Sequence, residues 1–253
     1  MSFGNFYSEV YDSIHHDKDY DLEAEQIVSF FKQKCPAGAR VLDFGCGTGK
    51  HARLQHESGI DVSGYDPNVN MIRVAKSKNL GIPFYDNLGG VPEKFDFVYS
   101  LFDVLSYQIS DSAVKNFLVE VNSLVKPEGW VLLDGWHLPG VLNDPPQSRT
   151  KFFSYDGNDY IRDVTVLEMN SSGVTSLDIG IRKSGSAIIE HREHHKLRGF
   201  YKEQLFEFIT LAGGKNIDIY NGYDYSKSLD DSDWRFAISY QLQVDQYFFD
   251  NQV

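Results

Sequence analysis

The residues that first invite a chemical reading are Asp43, Gly45, Gly47 and Gly49, set as D-x-G-x-G-x-G in the run VLDFGCGTG, with Cys46 and Thr48 between the glycines. Glycines at alternate positions allow positive φ and bring backbone close to a ligand, and the start of a following helix offers free N–H groups. This is a cradle for a nucleotide-like group. A dinucleotide loop needs G-x-G-x-x-G, with its third glycine packing helix on strand, and position 50 is Lys50. The acidic Asp43 suits a ligand with an amino group and no phosphate. Asp66, 17 residues beyond Gly49, stands where a carboxylate can take both hydroxyls of a ribose. Asp86 and the Asn87 backbone follow the next strand, where they can meet an adenine amine. Cys46 reads as a small packing residue rather than a nucleophile. His137 is the candidate general base, because its ordinary pKa suits proton removal near neutrality. His191, His194 and His195 form H-R-E-H-H, not H-E-x-x-H. On a strand His191 and His195 share a face while His194 points away, so a solvated or substrate-lining strand is expected and no metal.

These residues need elements to position them. From about 40 to 135, short apolar runs alternate with helix-like segments, the pattern of βαβ units and a parallel sheet. Strands are expected at Arg40 to Phe44, Asp61 to Tyr65, Ile82 to Tyr85, Phe95 to Ser100 and Trp130 to Asp134. Helices are expected near Lys50 to Ser58, Val69 to Lys78 and Ala113 to Val125, with another at Asp21 to Lys34. In such sheets ligands bind beyond the carboxyl ends of the strands, where Asp43, Asp66, Asp86 and His137 all fall. After Asp134 the period changes to two, with turn signals at Asp156-Gly157-Asn158, Ser171-Ser172-Gly173 and Ser184-Gly185-Ser186. That predicts an antiparallel insert of three or four strands at 150–198. A helix at Lys202 to Leu211 and strands at Asn216 to Tyr220 and Arg235 to Leu242 complete a core made of 1–149 and 199–253.

Composition narrows the function classes. A net charge of −12 argues against nucleic acid, whose partners need a basic footprint. Residues 149–202 hold nine Lys/Arg against seven Asp/Glu, leaving −14 on the rest. That local relief of negative charge suits an anionic small substrate. No apolar run reaches the roughly 18 residues of a membrane span, and the start, MSFGNFYSEVYDS, lacks secretory signal features. Two cysteines make no disulfide framework, so a cytoplasmic protein with no membrane partner is expected.

The motifs VLDFGCGTG, SGYDPNVNMI, FDFVYSLFDVLSYQ and LVKPEGWVLLDGWH, the last with Glu128 in a usual glycine position, resemble class I S-adenosylmethionine (SAM)-dependent methyltransferases. With YDSIHHDKDYDLEAEQI and DGWHLPGVL, the chain resembles small-molecule enzymes, among them the N,N-dimethyltransferases of nucleotide-linked amino sugars and related proteins encoded with polysaccharide genes. The resemblance implies a seven-stranded Rossmann-like α/β sheet with helices on both faces and the antiparallel insert after strand 5. It implies SAM as cofactor, with Pro67 and Met71 beside Asp66. Tyr20 is placed near the cofactor's carboxylate, Tyr11 near its sulfonium as a binding and catalytic residue, and Ser100, Leu101 and Phe102 along its methionine moiety. Nucleic-acid amino-methyltransferases carry an Asp/Asn-Pro-Pro-aromatic motif after strand 4, where this chain reads Ser100-Leu101-Phe102-Asp103. Asp144-Pro145-Pro146 comes after strand 5 and reads as a rigid loop. The expected reaction is in-line methyl transfer to N or O of a small molecule, a nucleotide-linked sugar or glycan precursor, with the insert walling the substrate pocket and available for a homodimer. A small-amine N-methyltransferase, a non-catalytic SAM-binding sensor and an NAD-dependent nucleotide-sugar enzyme are the rival readings.

Overall fold

The apolar runs of the first half form strands buried on both faces, as expected where helices cover a parallel sheet from both sides. A computed structural model describes residues 4–243; the rest of the expected core segment, 244–253, lies outside the described residues. In chain order the elements are α1 (Asn5–Ile14), α2 (Tyr20–Lys34), β1 (Arg40–Phe44), α3 (Lys50–Glu57), β2 (Asp61–Tyr65), α4 (Val69–Ser77), β3 (Phe84–Tyr85), β4 (Phe95–Ser100) and α5 (Asp111–Ser123). Then come β5 (Val125–His137), α6 (Leu138–Asn143), β6 (Arg149–Tyr155), β7 (Asn158–Met169), β8 (Val174–Lys183), β9 (His191–Phe200), α7 (Lys202–Leu211), β10 (Gly214–Asn221), β11 (Asp224–Ser228) and β12 (Arg235–Leu242).

The central sheet runs β3-β2-β1-β4-β5, parallel throughout, and continues antiparallel through β12 to β10. The order reverses between β1 and β4, and a crevice opens at such a switch point beyond the strand ends. Register brings those ends level: Asp43 lies opposite Gly64 of β2 and Tyr99 of β4. Alternation divides the core. Leu42, Val98 and Leu133 pack under α5 and α7 against Phe117, Val121 and Leu205. Val41, Phe97 and Leu132 pack under α2, α3 and α4 against Phe30, Ala52 and Ile72.

The insert is the antiparallel set β6-β7-β8-β9. Its first hairpin turns on Asp156 and Gly157, both at positive φ (48° and 70°), the conformation a two-residue hairpin loop demands. β9 also pairs in parallel with the end of β5, Trp136 opposite Gly199 and His137 opposite Phe200. The insert is thus hydrogen-bonded edge-on to the central sheet.

Four differences from the sequence-based expectation stand out. β5 begins at Val125 and runs to His137, because its end gains pairing from both β12 and β9. β3 shrinks to Phe84–Tyr85, preceded by Pro83, which has no N–H and contributes only its carbonyl, to Gly64. α1 was not foreseen: Tyr7, Val10 and Ile14, spaced for one helical face, are buried against Phe153, Tyr160, Val164 and Ile181 of the insert. The polar edge strand β11 was missed as well, lacking any apolar alternation.

Candidate functional site

The glycine loop bends over the end of β2 because Gly45 and Cys46 both donate their N–H to the Tyr65 carbonyl, at 2.6 and 2.9 Å. The turn needs positive φ at Gly45 and Gly47 (86° and 53°). A Cβ at Gly45 would stand 2.8 Å from Val104, whereas at Gly47 it would meet nothing within 4 Å. The loop therefore leaves open space above Gly47. Asp66 is held by two backbone donors, Gly47 N–H at 2.9 Å and Asn68 N–H at 2.8 Å. Burial raises its pKa against the pull of those hydrogen bonds. Asp43 is buried, with no partner for its Oδ2. Burial, opposed by the Tyr99 hydroxyl and aided by the Asp66 charge, pushes its carboxyl up to about 7. Helix α1 is pinned to the loop: the Thr48 hydroxyl donates to Asp12 at 2.6 Å, and the Lys78 ammonium bridges Asp12 and the Thr48 carbonyl at 2.7 Å each.

Past β4 the chain makes a turn in which two successive non-glycine residues, Phe102 and Asp103, both have φ 69°. Each such residue costs about 1–3 kcal/mol and needs surroundings that hold it. The holder is Asp134 of β5, which accepts Phe102 N–H at 2.9 Å and Asp103 N–H at 2.8 Å. Tyr223 donates to the same carboxylate at 2.7 Å, and Arg235 grips Asp103 with two hydrogen bonds of 2.6 and 2.9 Å. Burial and the Asp103 charge raise the Asp134 pKa, with Arg235 opposing. The turn presents the Phe102 ring to Tyr11 and His15, whose ring centroids lie 6.5 and 5.2 Å away. The Lys18 ammonium stands 3.8 Å from the Phe102 centroid and 4.4 Å from that of Tyr20, and pairs with Glu23 at 2.8 Å. Burial, reinforced by Arg162, drops the His15 pKa to about 3, so this imidazole is neutral.

A cavity of about 1140 Å³ runs from the loop to the insert. Single small-molecule pockets span about 300–1,000 Å³, so two ligands fit side by side. Of the residues expected at the site, Tyr11, Gly45, Gly47, Asp66, Pro67, Met71, Leu101 and Phe102 line it. Tyr20, Asp43, Cys46 and Thr48 line a neighbouring recess of about 30 Å³ that shares Tyr11, Gly47 and Phe102 with the main cavity.

Others fall elsewhere. Gly49 packs: a Cβ there would meet Phe84 at 2.7 Å. Ser100 is fully buried within β4. Asp86 and Asn87 are exposed, bonded to each other at 3.0 Å, and are not among the cavity-lining residues. His137 is buried at the end of β5 and is likewise outside that lining. Its Nδ1–H donates to the Asp233 carbonyl at 3.0 Å. A general base must come within hydrogen-bond reach of the proton it removes, and His137 is not placed among the residues that line this cavity.

The cavity is also lined by residues not singled out as site residues from the sequence: Tyr107 in the turn after β4, Arg149 and Arg162 on the insert, and Asp103 and Arg235. His195, weighed only as a metal ligand, also faces the cavity. Arg162 is buried, donates to the Tyr7 hydroxyl at 3.2 Å and has no partner for its Nε–H. Lys18 and Arg162 belong to segments whose local patterns read as ordinary helix cap and strand; only the packing of α1 and the insert brings them to one cavity.

The model of the methyltransferase domain family matches residues 15–157. The chain belongs to that family. It is 24% identical over 220 residues to a dTDP-3-amino-3,6-dideoxy-α-D-glucopyranose N,N-dimethyltransferase of Streptomyces fradiae, covering 81% of this chain and 82% of the relative. The structure of an S-adenosylmethionine-dependent methyltransferase from Clostridium acetobutylicum ATCC 824 aligns with a TM-score of 0.74 at 18% identity, covering 94% of this chain and 98% of that one. The sugar N-methyltransferase KedS8 from Streptoalloteichus sp. ATCC 53650 aligns with a TM-score of 0.74 at 18% identity, over 90% of each chain. The donor set fits SAM: the orphaned Asp43 oxygen, the open face of Gly47, the Asp66 carboxylate and the Lys18 ammonium match its amine, backbone-apposed ribose, ribose hydroxyls and carboxylate in kind.

Proposed function

We propose that this methyltransferase takes its methyl group from SAM and passes it to the amine of a nucleotide-linked amino sugar. The observation that carries the acceptor's class is Arg162, a buried guanidinium with an unpartnered N–H at the insert end of the cavity. Among the described residues no carboxylate makes an ion pair with Arg162, and a buried guanidinium N–H left without a partner is costly and calls for an acceptor. Arg149 at the mouth adds a second positive group. A diphosphate meets that need, and guanidinium is well shaped for phosphate. The named substrate of the S. fradiae relative and the KedS8 description point to the same chemistry.

When bound, SAM supplies an electrophilic methyl group. The chain's work is alignment and exclusion of water, since in-line displacement gains most from orientation. Asp66 takes the ribose hydroxyls, Lys18 the carboxylate, and the Tyr11 and Phe102 rings wall the sulfonium, to which aromatic faces are attractive. Arg162 and Arg149 hold the acceptor's phosphates so that its amine reaches inward past Trp136 and Leu177, which line the passage. Mass spectrometry after incubation with SAM and dTDP-3-amino-3,6-dideoxyglucose tests this. Methylated product is expected, with the free amino sugar turned over far less well and KM raised in Arg162→Met. Equal turnover of the free sugar or of simple amines would remove the nucleotide-linked acceptor; tight SAM binding with no transfer to any acceptor would favour a sensor.

A further inference from the structure

The insert carries a polar constellation that the alignment of substrate and cofactor does not use. Strand alternation puts His191, Glu193 and His195 on one face of β9, opposite Ile181, Ile179 and Leu177 of β8. Arg192 and His194 go to the other face, within reach of Asp178. The inward face is well covered, with Glu193 8% and His195 7% exposed. Glu193 lies between the two imidazoles: His191 Nε2 is 2.8 Å from Oε1 and His195 Nε2 is 3.0 Å from Oε2. The Gly4 N–H donates to Oε1 at 2.7 Å, so the start of the described chain closes this end. A carboxylate only accepts, hence both Nε2 atoms carry hydrogen. In neutral His195 that leaves Nδ1 as an acceptor, and the Tyr107 hydroxyl is 2.8 Å from it.

We propose that Tyr107, His195 and Glu193 form a relay that removes the proton from the acceptor amine before methyl transfer, an inference resting on the reading that the acceptor is an amine. Tyr107 and His195 both line the cavity, at the end shared with Arg162. The order carboxylate, imidazole, hydroxyl is that of a base oriented by a third group. Burying this carboxylate and two imidazoles against Ile179, Ile181 and Leu177 costs desolvation that packing alone would not select. The electrostatics agree. Burial raises Glu193, yet the hydrogen bonds from His195, Gly4 and His191 outweigh it and hold the carboxyl below its usual range, so it stays charged. Burial raises Tyr107 well above the usual phenol, so it stays neutral.

The step balances. An ammonium N–H proton passes to the Tyr107 oxygen as the Tyr107 proton passes to His195 Nδ1. The amine recovers its lone pair, Tyr107 ends neutral as it began, and His195 becomes an imidazolium facing Glu193. The lone pair then forms the N–C bond while the C–S bond breaks, its electrons staying on sulfur. His195 returns its proton to solvent before the next cycle.

The groups facing this relay are Tyr7 from α1, Asp103 from the turn after β4, Arg162 on β7, and His191 with Glu193 on β9. Two measurements test it, one independent of turnover. Long-range ¹H–¹⁵N spectra of the whole chain are expected to show neutral His195 as the Nε2–H tautomer. The Nδ1–H tautomer would overturn the relay. With SAM and dTDP-3-amino-3,6-dideoxyglucose, kcat/KM is expected to rise with pH along an acid limb. His195→Gln and Tyr107→Phe are expected to lower it by about 10²-fold or more, with S-adenosylhomocysteine affinity unchanged by calorimetry. The deficit should close at a pH where the amine deprotonates unaided. A His195→Gln enzyme with the original rate and the original limb would sink the proposal. Absence of turnover in the unaltered protein together with the Nε2–H tautomer would overturn the acceptor assignment while supporting the hydrogen-bond relay itself.

Discussion

Asp134 on β5 receives the backbone N–H of Asp103 at 2.8 Å, and that hydrogen bond, with its neighbour from Phe102, holds a left-handed turn over the cavity. The same β5 strand that supports the core thereby shapes the cavity wall that carries Phe102. Asp134→Asn replaces one of the two accepting oxygens with a donor. We expect a loss of about 1–3 kcal/mol from the buried donor left unpaired, seen as a lower Tm, and weaker S-adenosylhomocysteine binding by calorimetry. Unchanged affinity would detach the turn from the cofactor site.

Asp66 has a double duty, tying down Gly47 and facing the cavity. Asp66→Asn keeps one oxygen for the loop but gives up the charge. Hydrogen bonds to charged groups contribute about 1.5–3 kcal/mol, so SAM affinity should fall by at least tenfold, and Tm should fall as well because either the Gly47 or the Asn68 N–H then faces an amide donor. A variant that bound SAM normally would deny Asp66 its ribose.

His137 separates position along the strand from position at the site. His137→Phe should lower stability by about 1 kcal/mol, because the part-buried Asp233 carbonyl loses its donor. The kcat of the folded variant should stay at the original level. A steep fall in kcat with an unchanged KM would restore His137 as the base.

Asp43 predicts a pH dependence. Its folded pKa is near 7, above the roughly 3.9 of an unfolded aspartate. The folded state therefore holds the proton more tightly. Stability associated with that proton is fully present below about pH 4 and is lost as pH rises through about 7, on the order of a few kcal/mol at about 1.4 kcal/mol per pKa unit. Denaturant titrations of Asp43→Asn and the original protein, both without cofactor, should agree near pH 4 and diverge by pH 8, with the variant more stable. Parallel curves across that range would show that burial does not protonate Asp43.

Much of this protein is written in local pattern. The bounds of β1, β2, β4, α7 and β12 follow from apolar period and turn residues, because the side chains that bury themselves are adjacent in sequence. The glycine loop and Asp66 were legible for the same reason: a strand end, a turn and a helix start occupy one short stretch. Asp86, Asn87 and His137 were placed by the rule that sites lie beyond strand ends, and that rule does not say which way a side chain turns. For His137 the direction is decided by the Asp233 carbonyl, 96 residues later in the chain. The H-x-E-x-H alternation on β9 was visible, but a strand face acquires chemistry only from what packs on it. Tyr107 reaches His195 across 88 residues and Gly4 reaches Glu193 across 189. Sequence alone determined the loop, its sheet and the kind of ligand that suits them. Only tertiary structure decided which polar groups meet at the insert end of the cavity, because those contacts depend on α1 and β9 converging on the end of β5.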